Sequence, residues 1–159
     1  MRTVNIKNEK ETRAFGLALA KELQPGAIIA LVGDLGTGKT TLTRYIAEGL
    51  GITEPIQSPT FTIIREHRTG RLPLFHFDVY RLDDPDDMFE LGYEDYFFGD
   101  GVTVVEWADK IADLMPDETK WISITYASAD DATDTETGGD AEGESNNGSD
   151  EGRTYTCTF

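Results

Sequence analysis

The chain has 159 residues, a formal net charge of −16 at neutral pH, two histidines and a single cysteine. That length supports one domain with a real core, and the charge argues against direct, tight binding to a polyanion. Cys157 cannot form an internal disulfide or a thiolate metal cluster, no apolar run is long enough to span a membrane, and residues 1–7 lack a signal-peptide core, so a reducing, cytoplasmic setting is expected.

Val4 and Ile6 predict a short first strand. Asn8, with Glu11 three residues on, gives a capping-box-like start. Phe15, Ala18, Leu19 and Leu23 then fall at helical spacing, predicting an amphipathic helix to about Leu23. Pro25-Gly26 breaks it and turns the chain into an apolar strand over 27–32. The sequence Gly33-Asp34-Leu35-Gly36-Thr37-Gly38-Lys39-Thr40 follows at once, a G-x-x-x-x-G-K-T phosphate-binding loop with a strand before it and a helical pattern after it. Glycines let the backbone turn its N–H groups toward phosphate oxygens, and the next helix presents its N-terminus to the same anion. Lys39 is expected to reach the β- and γ-phosphates, and Thr40 to take one Mg²⁺ position. The helix buries Leu42, Ile46 and Leu50, with Gly51 as its C-cap.

Gln57 to His67 reads as a turn leading into a strand, and Ser58-Pro59-Thr60 is a candidate switch segment or a plain turn. Arg68-Thr69-Gly70-Arg71 closes a hairpin whose return strand runs from Leu72 to Val79. The acids at 83–87 start a short helix through Met88–Leu91 that ends near Gly92. Tyr93 to Phe98 reads as aromatic and irregular, Val102–Val105 as a buried strand, and Ala108–Leu114 as a helix before Pro116. Trp121–Tyr126 and Arg153–Phe159 alternate as strands of an antiparallel hairpin, and Cys157 reads as a small core residue. Between them, residues 127–151 hold nine carboxylates and no Lys or Arg. Such composition predicts a flexible acidic insertion, and an acidic body outside it suggests a cytoplasm of high salt. No internal repeat is present.

The expected architecture is α/β: a P-loop NTPase-like sheet with flanking helices and mixed parallel and antiparallel strands. In such folds ligands lie at the carboxyl ends of the strands. Asp78 and Glu106 each end an apolar run there, and either could hold Mg²⁺ or position water. His76, inside an apolar strand, reads as a satisfied core histidine, and no histidine–cysteine cluster supports zinc.

Taken together, Gly33 to Leu42, Ser58-Pro59-Thr60-Phe61-Thr62, His76-Phe77-Asp78-Val79-Tyr80-Arg81-Leu82, Gly92 to Tyr96 and Val105-Glu106-Trp107 resemble the TsaE family of bacterial P-loop ATPases of tRNA threonylcarbamoyladenosine synthesis. The blocks stand in family order over residues 1 to about 126. The resemblance implies ATP hydrolysis in a complex with TsaB and TsaD, with tRNA met only through that complex. It implies Lys39 on phosphate, Thr40 and Glu106 on Mg²⁺, and Asp78 as an essential acid near the γ-phosphate. It places Glu9 and Thr12 near the base, and Asp34, Leu35, Thr41 and Arg153 beside the nucleotide. Two other readings stand against it. A P-loop small-molecule kinase would make a phosphorylated product unaided, and a nucleotide-gated binding module would function without turnover.

Overall fold

In the computed structural model the described residues are 2–34, 36–127 and 152–159. Leu35 and the acidic insertion beyond Ala127 lie outside them. The elements are β1 (Arg2–Ile6), α1 (Glu9–Glu22), β2 (Ile28–Val32), α2 (Lys39–Gly49), β3 (Ile64–His67), β4 (Leu74–Asp78), α3 (Asp87–Glu90), α4 (Tyr93–Phe97), β5 (Val102–Glu106), a 3₁₀ segment (Ala108–Leu114), β6 (Lys120–Tyr126) and β7 (Arg153–Cys157).

The strands form one seven-stranded sheet in the order β1-β7-β6-β2-β5-β4-β3. Its centre is parallel: β2 pairs with β5 and β6, and β5 with β4. Both margins are antiparallel, β3 on β4 at one side and β6–β7–β1 at the other. The expected mixed α/β sheet is what forms. Ile28–Val32 and Val102–Glu106 are nearly continuous in apolar residues because both of their faces are covered. Alternation sorts them. Ile29, Leu31, Val102 and Val104 meet α1 and α2 through Leu19, Leu42 and Ile46, while Ile28, Ala30 and Val105 meet Met88, Phe97 and Ile111 on the opposite face.

α1 starts as its sequence implies. Asn8 Oδ1 accepts from the Glu11 N–H at 3.0 Å, and Glu11 reaches back to the Lys7 N–H at 2.8 Å. α2 closes in a Schellman pattern: Gly51 takes φ 84°, its N–H donates to Glu48 O, and the Ile52 N–H donates to Ala47 O. The helices pack closely because Gly16 faces Tyr45 and Gly49 faces Ala20, where an added Cβ would lie 2.6 and 2.5 Å from its neighbour. Cys157 is buried in this core, as expected.

Three expectations need correction. Tyr93–Phe97 is a helix, α4, whose rings meet Phe75, Phe77 and Phe89 edge-on; packing overrides the poor helix propensity of aromatics there. Ala108–Leu114 is a 3₁₀ segment kinked at Ile111, entered through Trp107 in the left-handed region. The return strand begins at Leu74, since Pro73 uses its carbonyl on the Val102 N–H and has no N–H of its own to pair. Among the described residues no helix is long and apolar enough to cross a membrane.

Candidate active site

The loop between β2 and α2 lies at the carboxyl end of the parallel strands. Gly36 and Gly38 hold φ of 84° and 103°, backbone that favours glycine. Gly33 has a different constraint: a Cβ there would stand 2.7 Å from the Ile124 carbonyl of β6. Lys39, 5% exposed, folds back over the loop and donates to the carbonyls of Gly33 at 2.6 Å and Asp34 at 3.0 Å. Its Nζ also stands 4.0 Å from the Trp107 ring. Burial holds the Lys39 pKa below the ordinary lysine value, against the pull of Glu106, Asp78 and Asp34. Phosphate arriving at the loop would meet an ammonium already stripped of much of its water.

The two carboxylates stand at one level. Parallel pairing puts Asp78 of β4 opposite Glu106 of β5, and both are buried. Thr40, in the first turn of α2, donates its hydroxyl to Glu106 at 2.9 and 3.0 Å from the two carboxylate oxygens. His76 Nε2 lies 2.6 Å from Glu106 Oε2. Asp78 is engaged differently. Its Oδ2 accepts from Ser58 at 2.8 Å and Thr60 at 3.1 Å, and its Oδ1 from the Tyr80 N–H at 3.0 Å. The Ser58–Thr60 segment is therefore tied to a strand-end acid and is not a free turn.

Two cavities meet the loop. One of about 440 Å³ is lined by Lys39, Thr40, Ser58, Asp78, Glu106 and Trp107. The other, of about 200 Å³, is lined by Glu9 and Thr12 of α1, by Thr37 and Thr41, and by Arg153 and Tyr155 of β7. Gly36, Gly38 and Thr41 border both. Glu9 accepts a hydrogen bond from the Tyr45 hydroxyl. Arg153 donates Nε–H to the Thr37 carbonyl at 2.9 Å, and the Tyr126 hydroxyl donates to the Gly36 carbonyl at 2.8 Å. Of the residues singled out from the sequence, Lys39, Thr40, Asp78 and Glu106 converge in the larger cavity. Glu9, Thr12 and Arg153 collect across the loop from them. Asp34 faces solvent and lends its carbonyl to Lys39 and Thr37. Leu35 lies outside the described residues.

Sequence reading placed His76 in the core, where it is, but as a satisfied histidine: its Nε2 meets Glu106 and, among the described residues, its Nδ1 has no partner. Tyr126 it passed over. His76 shares a strand face with Asp78, two residues on, which is the only local sign of its position. Tyr126 reaches the loop across 90 residues of sequence, and no spacing rule connects them. His67, the other histidine, pairs with Glu54 at 2.8 Å, away from the site.

The donor set suits a hard cation. A hydroxyl and a buried carboxylate already touch, both through oxygen. Among the described residues no three His, Cys, Asp or Glu side chains form a metal cage of their own. The loop likewise fits a polyphosphate: a Cβ placed at Gly38 would meet nothing within 4 Å, so the space beside the backbone is open.

Comparison with known proteins agrees with the resemblance carried by the motifs. The family model for "Threonylcarbamoyl adenosine biosynthesis protein TsaE" matches residues 6–135. The tRNA threonylcarbamoyladenosine biosynthesis protein TsaE of Bacillus subtilis (strain 168) is 48% identical over 124 residues, covering 78% of this chain and 77% of its own. The protein of that name from Haemophilus influenzae is 35% identical over 139 residues, covering 84% and 87%. The crystal structure of YdiB from Bacillus subtilis superposes with a TM-score of 0.72 at 37% identity, over 99% of this chain and 86% of the other.

Proposed function

The chain belongs to the TsaE family, and from that premise we propose that it binds and hydrolyses ATP within the machinery that makes threonylcarbamoyladenosine in tRNA. The observation that carries the enzymatic part is the convergence of Lys39, Thr40, Glu106 and Asp78 around one 440 Å³ cavity at the phosphate-loop mouth. TsaB and TsaD are the partners, tRNA is reached through them, and the setting is cytoplasmic. The acidic charge supports this arrangement, since a chain of net charge −16 repels a polyanion unless a partner holds it.

Each residue has a physical task in this reading. The loop's N–H groups and the N-terminus of α2 receive the phosphates. Lys39 exchanges two carbonyl acceptors for phosphate oxygens, gaining charge-assisted bonds in a site of low dielectric. Thr40 and Glu106 would hold Mg²⁺, which supplies charge neutralisation to the phosphate oxygens. Asp78 orients the attacking water and accepts its proton at Oδ2, the oxygen now bonded to Ser58 and Thr60. Its two hydroxyl partners must then yield, which links the Ser58–Thr60 segment to the state of the phosphate. Glu9, Thr12 and Arg153 receive the nucleoside end in the smaller cavity.

The test is tRNA modification by purified TsaB and TsaD with and without this chain, followed beyond one turnover, with ATP hydrolysis measured in parallel. Sustained modification that requires both the chain and ATP is expected. Full multiple-turnover modification without the chain, or with Lys39→Ala in its place, would overturn the reading. A phosphorylated small molecule produced by the chain alone would point to a kinase instead.

A further inference from the structure

The His76–Glu106 contact has a role the reaction scheme leaves unassigned. His76 sits in the middle of β4 with no exposed surface, and its Nε2 is 2.6 Å from Oε2 of Glu106, which is itself 2% exposed. A buried carboxylate needs donors, because desolvation without them is expensive. Among the described residues the others near Glu106 are two threonine hydroxyls. Thr43 spends its hydrogen on the Lys39 carbonyl at 2.9 Å and stands 3.5 Å from Glu106. Thr40 has one hydrogen for both carboxylate oxygens. Hydroxyls rotate, and Thr40 must also present its oxygen to the cavity. Among the described residues the imidazole, packed in β4 between β3 and β5, is the one fixed donor.

The tautomer follows from the other ring nitrogen. Nδ1 is buried and, among the described residues, has no hydrogen-bond partner. A proton on Nδ1 would leave an unsatisfied buried N–H and would set the Nε2 lone pair against a carboxylate oxygen. With the proton on Nε2, the short contact is a charge-assisted bond and Nδ1 is left as an acceptor without a donor, the cheaper defect. A core histidine kept only for volume would need no such alignment.

We propose that His76 is a positioning residue: its Nε2–H holds the Glu106 carboxylate turned toward the Thr40 hydroxyl, in the orientation in which it takes Mg²⁺. The inference rests on the Mg²⁺ reading of that site. It predicts that losing the imidazole raises the metal requirement and leaves the phosphate loop and its lysine intact, because outer partners of a ligand typically tune metal affinity by about 10–100-fold.

Binding of a fluorescent ATP analogue to the purified full chain, titrated with Mg²⁺, provides the test. His76→Leu should raise the Mg²⁺ concentration for half-maximal binding by about 10–100-fold and leave metal-free binding unchanged. His76→Gln, which can place an amide N–H near the lost Nε2, should recover most of that shift. In ¹⁵N-labelled wild type, long-range ¹H–¹⁵N correlation should show a proton on His76 Nε2. A folded His76→Leu with an unchanged Mg²⁺ requirement, in a background where wild-type binding depends on Mg²⁺, overturns the inference and spares the metal reading. Wild-type binding indifferent to Mg²⁺ overturns both. Should His76→Leu not fold, the wild-type spectrum decides: an Nε2 without a proton overturns the inference.

Discussion

The two sides of the phosphate loop are built on different principles. On the side of the larger cavity, Asp78 and Glu106 end adjacent parallel strands in register, are 3% and 2% exposed, and have hydrogen bonds on every carboxylate oxygen. On the side of the smaller cavity the walls come from α1 and from β7 at the antiparallel margin, where Ile6 pairs with Arg153, and Glu9 stands in solvent. Charges fixed before the reaction suit chemistry, where reorganisation would add to the barrier. A half-open wall suits binding, where groups need only close on a ligand. Both buried acids should therefore govern turnover, Glu106 with an effect on binding besides, and the wall should govern affinity alone.

The sharpest way to break this division is to change single side chains on the buried side. Lys39→Ala should weaken ATP binding by several kcal/mol or abolish turnover, since it removes the one ammonium inside the loop. Unchanged hydrolysis in that variant would mean the loop does not serve ATP. Asp78→Asn should keep near-normal Mg·ATP binding and lose hydrolysis by about 10²–10⁴-fold, with no recovery on adding metal. Glu106→Gln should impair binding and turnover together and recover in part at high Mg²⁺, because a metal ligand acts already in the ground state. Single-turnover hydrolysis and Mg²⁺-titrated binding in the presence of the partner proteins separate the two. Metal rescue of Asp78→Asn but not of Glu106→Gln would reverse the roles assigned here.

The same contrast explains what could be read from the sequence. The β2–loop–α2 unit is contiguous, so Gly33 to Thr40 declare it within eight residues, and the apolar runs before Asp78 and Glu106 mark both as strand ends. Alternation in β6 and β7 was enough to pair them and to bury Cys157. Contacts made across the chain left no such trace. His76 meets Glu106 over 30 residues, and Arg153 meets the Thr37 carbonyl over 116. Aromatic α4 has the propensity of a loop and becomes a helix only because Phe75 and Phe77 receive its rings. Local pattern carries elements and their ends; cross-chain hydrogen bonds depend on register, which a single sequence does not display.

Arg153 tests the open side with a smaller effect. Its Nε–H bond to the Thr37 carbonyl and its guanidinium over the Tyr126 ring, 4.4 Å from the centroid, both steady the loop from the sheet margin. Arg153→Lys keeps the charge and loses the planar donor. The KM for ATP should rise about 5–20-fold with kcat within about twofold, the loss expected for roughly one to two hydrogen bonds that act in ground and transition states alike. A fall in kcat comparable to that of Asp78→Asn would erase the distinction between chemistry side and binding side.

The smallest expected effect lies behind that wall, in alkali. Burial pushes the Cys157 thiol above its ordinary value of 9.0, and burial likewise raises the Tyr155 phenol above 10.0, with Thr12 and Arg153 opposing it. A raised pKa in the folded state means the folded chain holds its proton where the unfolded chain has lost it. That contribution is whole below the unfolded value and is lost as pH climbs through the folded one. Stability should therefore be insensitive to these two groups below pH 9 and should decline above it, by no more than about 1.4 kcal/mol per pH unit for each. Cys157→Ala removes the earlier titration and keeps the later one, so its unfolding free energy should fall off from a higher pH than that of the wild type, on top of a constant offset for the lost sulfur. Urea unfolding between pH 7 and 11 measures both curves. If they run parallel across pH 9 to 10, Cys157 does not titrate with unfolding, and the margin behind the binding wall is less tightly closed than its burial implies.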